Sequence, residues 1–132
     1  MVDLTDDELA LFHAKNFGHF ATIGPNGAPH STPVWVDERD GDVLVNTAVG
    51  RVKDRNVRRD PRVSISIHDA NDPYRWVEVR GTVAEFIVGD EAEHHIDELS
   101  RRYHGEPWRP REGQKRVILR IHPERVSREL AR

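Results

Sequence analysis

The amino-acid sequence predicts a mainly β protein, a compact antiparallel barrel with short helices, formed by a single domain over residues 1–132. Three observations support this fold class. Six or seven segments have the alternation of apolar and polar residues that is typical of strands. Turn signals rich in Gly, Pro, Asn and Asp separate these segments, and helical periods are confined to short stretches. A barrel this small is nearly filled by its own side chains, so a sizeable ligand is expected outside it, for example between two copies.

The first half of the chain begins with a helix and continues as strands. Thr5 and Glu8 have the spacing of a capping box at the start of the helix, which we expect to end at Gly18. The segment 25–27, Pro-Asn-Gly, is a strong hairpin signal. Pro33 cannot donate to a ladder, so its strand is expected at an edge or a bulge. The strands predicted here are 19–23, 30–37 and 42–47, the last one after a turn at residues 40–41.

The second half contains the clearest strand and the longest one. Residues 62–69, RVSISIHD, alternate strictly, with three β-branched apolar residues on one face. Residues 74–87 form a long strand in which Gly81 is expected to mark a bend or bulge. The remaining elements expected are an acidic helix from Gly89 to about Tyr103, a loop over 104–114 and a last strand over 116–126.

The composition limits the classes of function. The chain has 20 basic and 23 acidic residues, a formal net charge of −3, whereas domains built for duplex nucleic acid are usually basic. It has no Cys, which excludes disulfides and thiolate metal sites and favours a cytoplasmic location. No apolar run approaches the roughly 20 residues that span a bilayer. We therefore expect neither a nucleic-acid partner nor a membrane partner.

A basic run over residues 51–62 contrasts with this acidic balance. It contains six Lys or Arg and two Asp, a net of +4 by subtraction, and Asp60-Pro61 is expected to end one or two helical turns there. Three of its arginines, Arg55, Arg58 and Arg59, fall on the side of Arg51 or near its edge. A solvated helix face is the simplest interpretation of these three residues.

Lys53 differs from these arginines because it projects to the opposite side of the predicted helix, toward the barrel. A lysine pointed inward near a helix start suggests a bound anion, since the backbone N–H groups there already favour phosphate. Gly50 directly before the helix allows close approach to the backbone. The run therefore predicts either a phosphate site at Lys53 or a short basic surface helix.

Other motifs are weaker. The chain has eight histidines, but His94 and His95 with their acidic neighbours do not place three ligands on one helix face, and no metal site is expected. Trp35, Tyr74 and Trp76 suit either a core or a flat ligand pocket. No nucleophile elbow, P-loop or dinucleotide-binding glycine motif is present. If the protein is an enzyme, its chemistry is expected to come from a cofactor.

Three segments taken in order resemble a known family: ATIGPNGAPHSTPVWV, GRVKDRNVRRDPRVSISI and DPYRWVEVRGTV. They resemble the pyridoxamine-phosphate-oxidase-like split-barrel flavoproteins, and more closely the actinobacterial branch that uses the deazaflavin coenzyme F420. The resemblance spans about residues 5–126. It implies a six-stranded antiparallel split barrel that forms a homodimer with the cofactor at the subunit interface. It also implies a hydride transfer between coenzyme F420 and a small conjugated organic substrate.

The resemblance also implies roles for individual residues. Arg51 and Lys53, with the Val52 backbone, would hold the cofactor phosphate, and the strand 31–35 would lie along the tricyclic ring. The outer arginines would meet the acidic tail of the coenzyme, and His68 and Tyr74 are candidate proton donors beside solvent. The cofactor-binding residues implied in this way are Ser31, Thr32, Pro33, Val34, Trp35, Asn46, Thr47, Arg51, Val52, Lys53, Arg55, Tyr74 and Trp76.

The chain departs from true pyridoxamine-phosphate oxidases in one respect. Their longer basic strand motif is missing over residues 31–37, where PVWV is apolar, and this places FMN and pyridoxamine phosphate in doubt. The alternatives to an F420-dependent enzyme are an FMN-binding oxidoreductase of the same fold and a non-catalytic binder. That binder would hold the cofactor or use its arginine face for nucleic acid.

Overall fold

The computed structural model describes residues 3–129, which form seven antiparallel strands and three helices. The predicted mainly β fold with short helices is confirmed. The helices are α1 (Asp6–His13), α2 (Val52–Arg59) and α3 (Asp90–His104). The strands are β1 (Gly18–Ile23), β2 (Pro29–Val34), β3 (Asp37–Arg39), β4 (Asp42–Ala48), β5 (Arg62–Asp69), β6 (Asp72–Val88) and β7 (Arg116–Glu129).

The strands form one sheet in the order β2-β1-β5-β6-β7-β4-β3. Strand β2 is at one edge of the sheet, as predicted, and pairs only with β1 among the described strands. An edge strand tolerates Pro33 because one side of the strand needs no backbone donor. Strand β3 is at the other edge and is a seventh strand, which agrees with the six or seven strands expected from the sequence pattern and adds one to the six that the resemblance implied. Its three residues, Asp-Glu-Arg, show no apolar alternation, and they pair with β4 only because the turn at Asp40-Gly41 folds the chain back. Both turn residues have a positive φ.

The sheet curls around one apolar core. The alternating residues of β1, β5 and β6 point to the same side, and Phe20, Ile65 and Val79 are fully buried there. Phe12 from α1 and Val57 from α2 join the same cluster. Because side chains fill this interior, a ligand larger than water must bind on the outside of the barrel.

The predicted bulge at Gly81 is confirmed. The register between β6 and β7 shifts between Arg80 and Gly81. A Cβ atom added at Gly81 would lie 2.0 Å from the backbone oxygen of His122. Glycine is therefore required here by the close approach of two backbones, and this bulge lets β6 turn the corner of the barrel.

The boundaries of some elements differ from the predictions. The capping box of α1 forms as predicted, but the helix ends at His13 and not at Gly18, which is the first residue of β1. The reason is Asn16, which is buried and whose amide donates to the Leu11 oxygen at 3.0 Å and accepts from the Ala70 nitrogen at 2.8 Å. These bonds hold the chain in an extended exit from the helix, a long-range effect that local signals do not contain. Among residues 3–129, none of the helices combines the length and apolar character needed to cross a membrane.

Candidate functional site

A cleft of about 220 Å³ lies where β2, β4, α2 and β7 meet. It brings together seven of the residues implied as cofactor-binding, although they come from three separate parts of the sequence. The described residues that line the cleft are Phe17, Pro33, Val34, Trp35, Asn46, Thr47, Arg51, Lys53, Ile96, Trp108 and Arg116.

A second hollow of about 370 Å³ shares Arg51 and Lys53 with this cleft. The two hollows together form a groove around the start of α2, which we call the α2 groove. It adds three more residues of the implied set, which are Thr32, Val52 and Arg55. The other residues that line the second hollow are His30 and Gly50.

The start of α2 is arranged for an anion. Gly50 has φ +92°, which favours glycine, and its N–H donates to the Asp54 carboxylate at 2.8 Å. Arg51 is the N-cap residue, and its side chain makes no capping hydrogen bond. The first N–H groups of a helix have no partner within the helix, and they carry its positive dipole end. Backbone and side chains therefore present positive charge to the same groove.

Three cations face one another across the cleft: Arg51, Lys53 and Arg116. Lys53 is half-buried, and its pKa is lowered by burial and by the charges of Arg51 and Arg116. Burial lowers the pKa of Arg116 to about 10, with a further lowering from Arg51. An anion bound between these groups would relieve both the desolvation and the repulsion, so the cleft is best suited to a phosphate or another anion.

Three buried polar atoms along the groove have no hydrogen-bond partner within residues 3–129: His30 Nδ1, Thr32 Oγ1 and Trp108 Nε1. Buried polar groups in proteins are nearly always bonded, so each of these atoms has a partner to gain from an ordered water or a bound ligand. All three line the two hollows of the α2 groove. They fit a ligand that carries both hydrogen-bond donors and acceptors along its length.

One end of the cleft is an aromatic wall. The Trp35 ring stacks on Tyr103 with centroids 5.3 Å apart, and its edge meets Trp108 at 6.3 Å. The Tyr103 hydroxyl donates to the Asn16 oxygen at 2.7 Å, which fixes the stack to the barrel. A rigid apolar wall next to a cationic cleft is suited to a planar ring that carries a phosphate at some distance.

Arg116 and Trp108 were missed by sequence reasoning. Arg116 begins the last strand and is buried, with only 5% of its surface exposed, and its guanidinium lies 5.0 Å from the centre of the Trp108 ring. The signal that could have found it is an arginine directly before the apolar residues 117–119, VIL, where an unpaired buried charge would be costly. Trp108 lies in the Pro-rich loop, whose composition carries no indication of burial.

The arginines further along α2 are exposed, as a solvated face predicts, but two of them have partners within the protein. Arg58 pairs with the buried Asp54 carboxylate at 2.9 Å and lies 4.4 Å over the Phe86 ring. Arg59 donates to the Ile23 oxygen and to the side chain of Asn56, at 3.1 and 2.9 Å. Of the outer arginines, Arg55 is the one that lines the groove.

Four predicted site residues lie outside the α2 groove of the same chain: Ser31, His68, Tyr74 and Trp76. The register places Ser31, His68 and Trp76 on the outer face of the four strands β2, β1, β5 and β6. On that face the His68 ring stacks on His19 with centroids 6.1 Å apart. Tyr74 and Trp76 are exposed by 58% and 36% at the end of the β5–β6 hairpin.

Comparison with known proteins agrees with the fold and identifies the family. Residues 4–128 match the family model described as pyridoxamine 5'-phosphate oxidase. A solved structure described as an F420 reductase is 30% identical, with a TM-score of 0.83 over 94% of this chain and 98% of the other. A conserved hypothetical protein from Mycobacterium tuberculosis is 32% identical, with a TM-score of 0.74 over 95% of this chain and 84% of the other. The 5a,11a-dehydrotetracycline/5a,11a-dehydrooxytetracycline reductase of Streptomyces rimosus is 30% identical over 92% of this chain and 80% of its own length.

Proposed function

This chain belongs to the pyridoxamine 5'-phosphate oxidase family, and on that premise we propose that it is an oxidoreductase that uses coenzyme F420. The proposed reaction is a hydride transfer between the deazaflavin and a small conjugated organic substrate. The observation that carries the proposal is the α2 groove, in which three cations and three unsatisfied polar atoms lie beside an aromatic wall. Two similar proteins are described as reductases, one of them as an F420 reductase.

The residues of the groove fit the parts of such a cofactor. Arg51, Lys53 and the first N–H groups of α2 would bind the phosphate, because they supply positive charge without a carboxylate lining the cleft. Strand β2 and Trp35 would lie along the ring and hold it away from water. The chemistry that the coenzyme supplies when bound is a two-electron hydride transfer, and the protein contributes binding and orientation.

The acidic tail of the coenzyme is the part that separates F420 from FMN. Arg58 and Arg59 are held by partners within the chain, so in this proposal Arg55 is the main outer contact for the tail. FMN has a phosphate but no such tail. We therefore propose that F420 binds more tightly than FMN, and that the gap narrows as salt screens the exposed tail contacts.

We further propose that two copies of the chain complete the site. The outer face with Ser31, His68 and Trp76 is continuous with Pro33, which lines the cleft. Trp76 and Tyr74 leave a large apolar surface exposed beside it. A homodimer would bury this surface and bring His68 or Tyr74 of the second copy toward the substrate, where either could donate the proton, as solvent also could. A cytoplasmic location stays a prediction from the sequence.

FMN is the second candidate. The matching family is that of pyridoxamine 5'-phosphate oxidase, and the split-barrel proteins that the sequence resembles are flavoproteins. The test is a titration of the purified protein with both cofactors at low and at high salt, with light scattering to determine the assembly. The proposal expects a dimer, tighter binding of F420 than of FMN at low salt, and oxidation of the bound reduced cofactor by a conjugated acceptor. Tighter binding of FMN at low salt would refute the F420 assignment. F420 binding without turnover in a broad acceptor panel would leave a cofactor-binding protein, and a monomer would refute the shared site.

A further inference from the structure

A chain of hydrogen-bonded polar groups, in which His95 and Arg116 are buried, runs from α3 to the α2 groove. Arg102 donates to the Asp37 carboxylate at 2.9 Å, and the other oxygen of Asp37 lies 3.0 Å from Nε2 of His95. Nδ1 of His95 lies 3.1 Å from the side-chain nitrogen of Asn46. The side-chain oxygen of Asn46 in turn accepts from Nε of Arg116 at 2.9 Å. Four hydrogen bonds thus connect α3 with one cation of the cleft.

The direction of each hydrogen bond in this chain follows from its neighbours. The Asn46 nitrogen can only donate, and it donates to the Ala92 oxygen at 3.0 Å and to His95. Nδ1 of His95 therefore accepts, and Nε2 carries the proton that it donates to Asp37. Burial alone would raise the pKa of Asp37, but the hydrogen bonds from His95 and Arg102 hold this pKa far below its usual value. Asp37 is thus a carboxylate, which keeps His95 in this tautomer.

The consequence reaches the cleft through Asn46. Its amide cannot turn over, because a turned amide would present an oxygen both to the Ala92 oxygen and to the accepting Nδ1 of His95. Its oxygen is therefore fixed toward Nε of Arg116. Among the described residues, Arg116 uses three of its five N–H groups, toward Asn46 twice and toward Gln114 once. Two remain, one on each terminal nitrogen, and arginine N–H groups of this kind are strong donors to phosphate oxygens.

We infer that Arg116 is a third phosphate-binding residue of the cleft and that His95 is a positioning residue, which aims Arg116 through Asn46. The inference rests on the proposed function for the identity of the phosphate, but its geometry belongs to this chain alone. Buried polar and ionic groups can often be replaced by apolar side chains of similar volume without loss of stability, so stability alone does not account for this chain. Its end at an arginine with two N–H groups left over indicates a ligand.

The test separates positioning from structural support by comparing two ligands. One is coenzyme F420, and the other is its deazariboflavin precursor, which has the ring but neither the phosphate nor the tail. The dissociation constant of the precursor divided by that of F420 measures what the phosphate and tail contacts contribute. His95→Leu and Arg116→Gln are each expected to reduce this ratio by about tenfold, or ~1.4 kcal/mol. The double variant is expected to match Arg116→Gln alone, since His95 acts through Arg116.

The matched control is His94→Leu, the same change at the neighbouring residue of α3, whose side chain is 75% exposed. It should leave the ratio unchanged. If His95→Leu does not fold, His95→Asn takes its place, because the shorter side chain cannot span from Asn46 to Asp37. Equal weakening of both ligands by the His95 variant, or additive effects in the double variant, would show that His95 only supports the fold.

A second measurement does not depend on the cofactor. Inorganic phosphate is titrated into the protein while the Nε–H resonance of Arg116 is followed by NMR. The inference expects a saturable shift in the wild type and about tenfold weaker binding in His95→Leu, in line with the loss of one charge-assisted contact. Phosphate binding in a protein that binds neither F420 nor its precursor would support the cation site and refute the proposed function. No shift of this resonance would overturn the inference itself.

Discussion

Replacing Lys53 with Met should have opposite effects on binding and on stability. Lys53 is half-buried, and no ion pair of its amine is seen within residues 3–129, while Arg51 and Arg116 lower its pKa together with burial. The change to Met keeps the apolar stem and removes only the charge. In the protein without ligand this removes a repulsion, so the free energy of unfolding should stay within about 0.5 kcal/mol or increase.

Binding of a phosphate-bearing cofactor should weaken in the same variant. A hydrogen bond to a charged group contributes about 1.5–3 kcal/mol, which corresponds to roughly a ten- to a hundredfold increase in the dissociation constant. The measurement is a fluorescence titration with F420, combined with urea unfolding of the ligand-free protein. This combination separates a residue kept for binding from one kept for folding.

Arg58→Met is the matched control one helical turn further on. Arg58 pairs with Asp54, whose side chain is only 1% exposed, so its removal leaves a buried carboxylate with fewer partners. We expect a loss of about 1 kcal/mol in unfolding free energy, the low end of the range because Arg58 itself is 44% exposed. Cofactor binding should change less than twofold. Equal losses of affinity in both variants would refute a specific anchor at Lys53, and a destabilised Lys53→Met that binds normally would make the residue structural.

Two further predictions concern pH and the barrel corner. The pKa of Lys53 is lowered from 10.5 in the folded state, so at a pH just below 10.5 the unfolded chain binds more protons than the folded one. The free energy of unfolding of the wild type, compared with that of Lys53→Met, should therefore rise with pH in that window. A flat difference in urea unfolding from neutral pH to that window would contradict the lowered pKa. Gly81→Ala should destabilise the protein by about 3 kcal/mol, because the added Cβ would lie 2.0 Å from the His122 oxygen. Gly27→Ala is the control, because an added Cβ meets open space there and only the φ of +84° is strained. It should lower the free energy of unfolding by about 1 kcal/mol in the same thermal or urea melts. Equal losses of stability in the two variants would show that the close approach at Gly81 has no special role.

Much of the fold could be predicted because its signals are local. The capping box at Thr5 and Glu8 places the start of α1, and the alternation over residues 62–69 identifies β5 and its buried face. The bulge at Gly81 was also predictable, since a glycine inside a long strand usually marks a bulge or a close approach of two backbones. Strand β3 was not, because Asp37–Arg39 is polar and too short to show a period. It becomes a strand through its pairing with β4 alone.

In the candidate site, too, the sequence predicts what is local, and tertiary contacts determine the rest. The sequence by itself determined that positive charge gathers at the start of α2, since Arg51 and Lys53 are two residues apart and Gly50 precedes them. Only the tertiary structure decided that Arg116, more than 60 residues away, completes that cluster, because the pairing of β4 with β7 places it opposite Ala48. The same holds for His95: its place in a predicted helix is local information, but the partners that fix its tautomer, Asn46 and Asp37, come from two other strands. Hydrogen-bond direction depends on which groups meet in space, and that is settled by the sheet order and not by spacing along the chain.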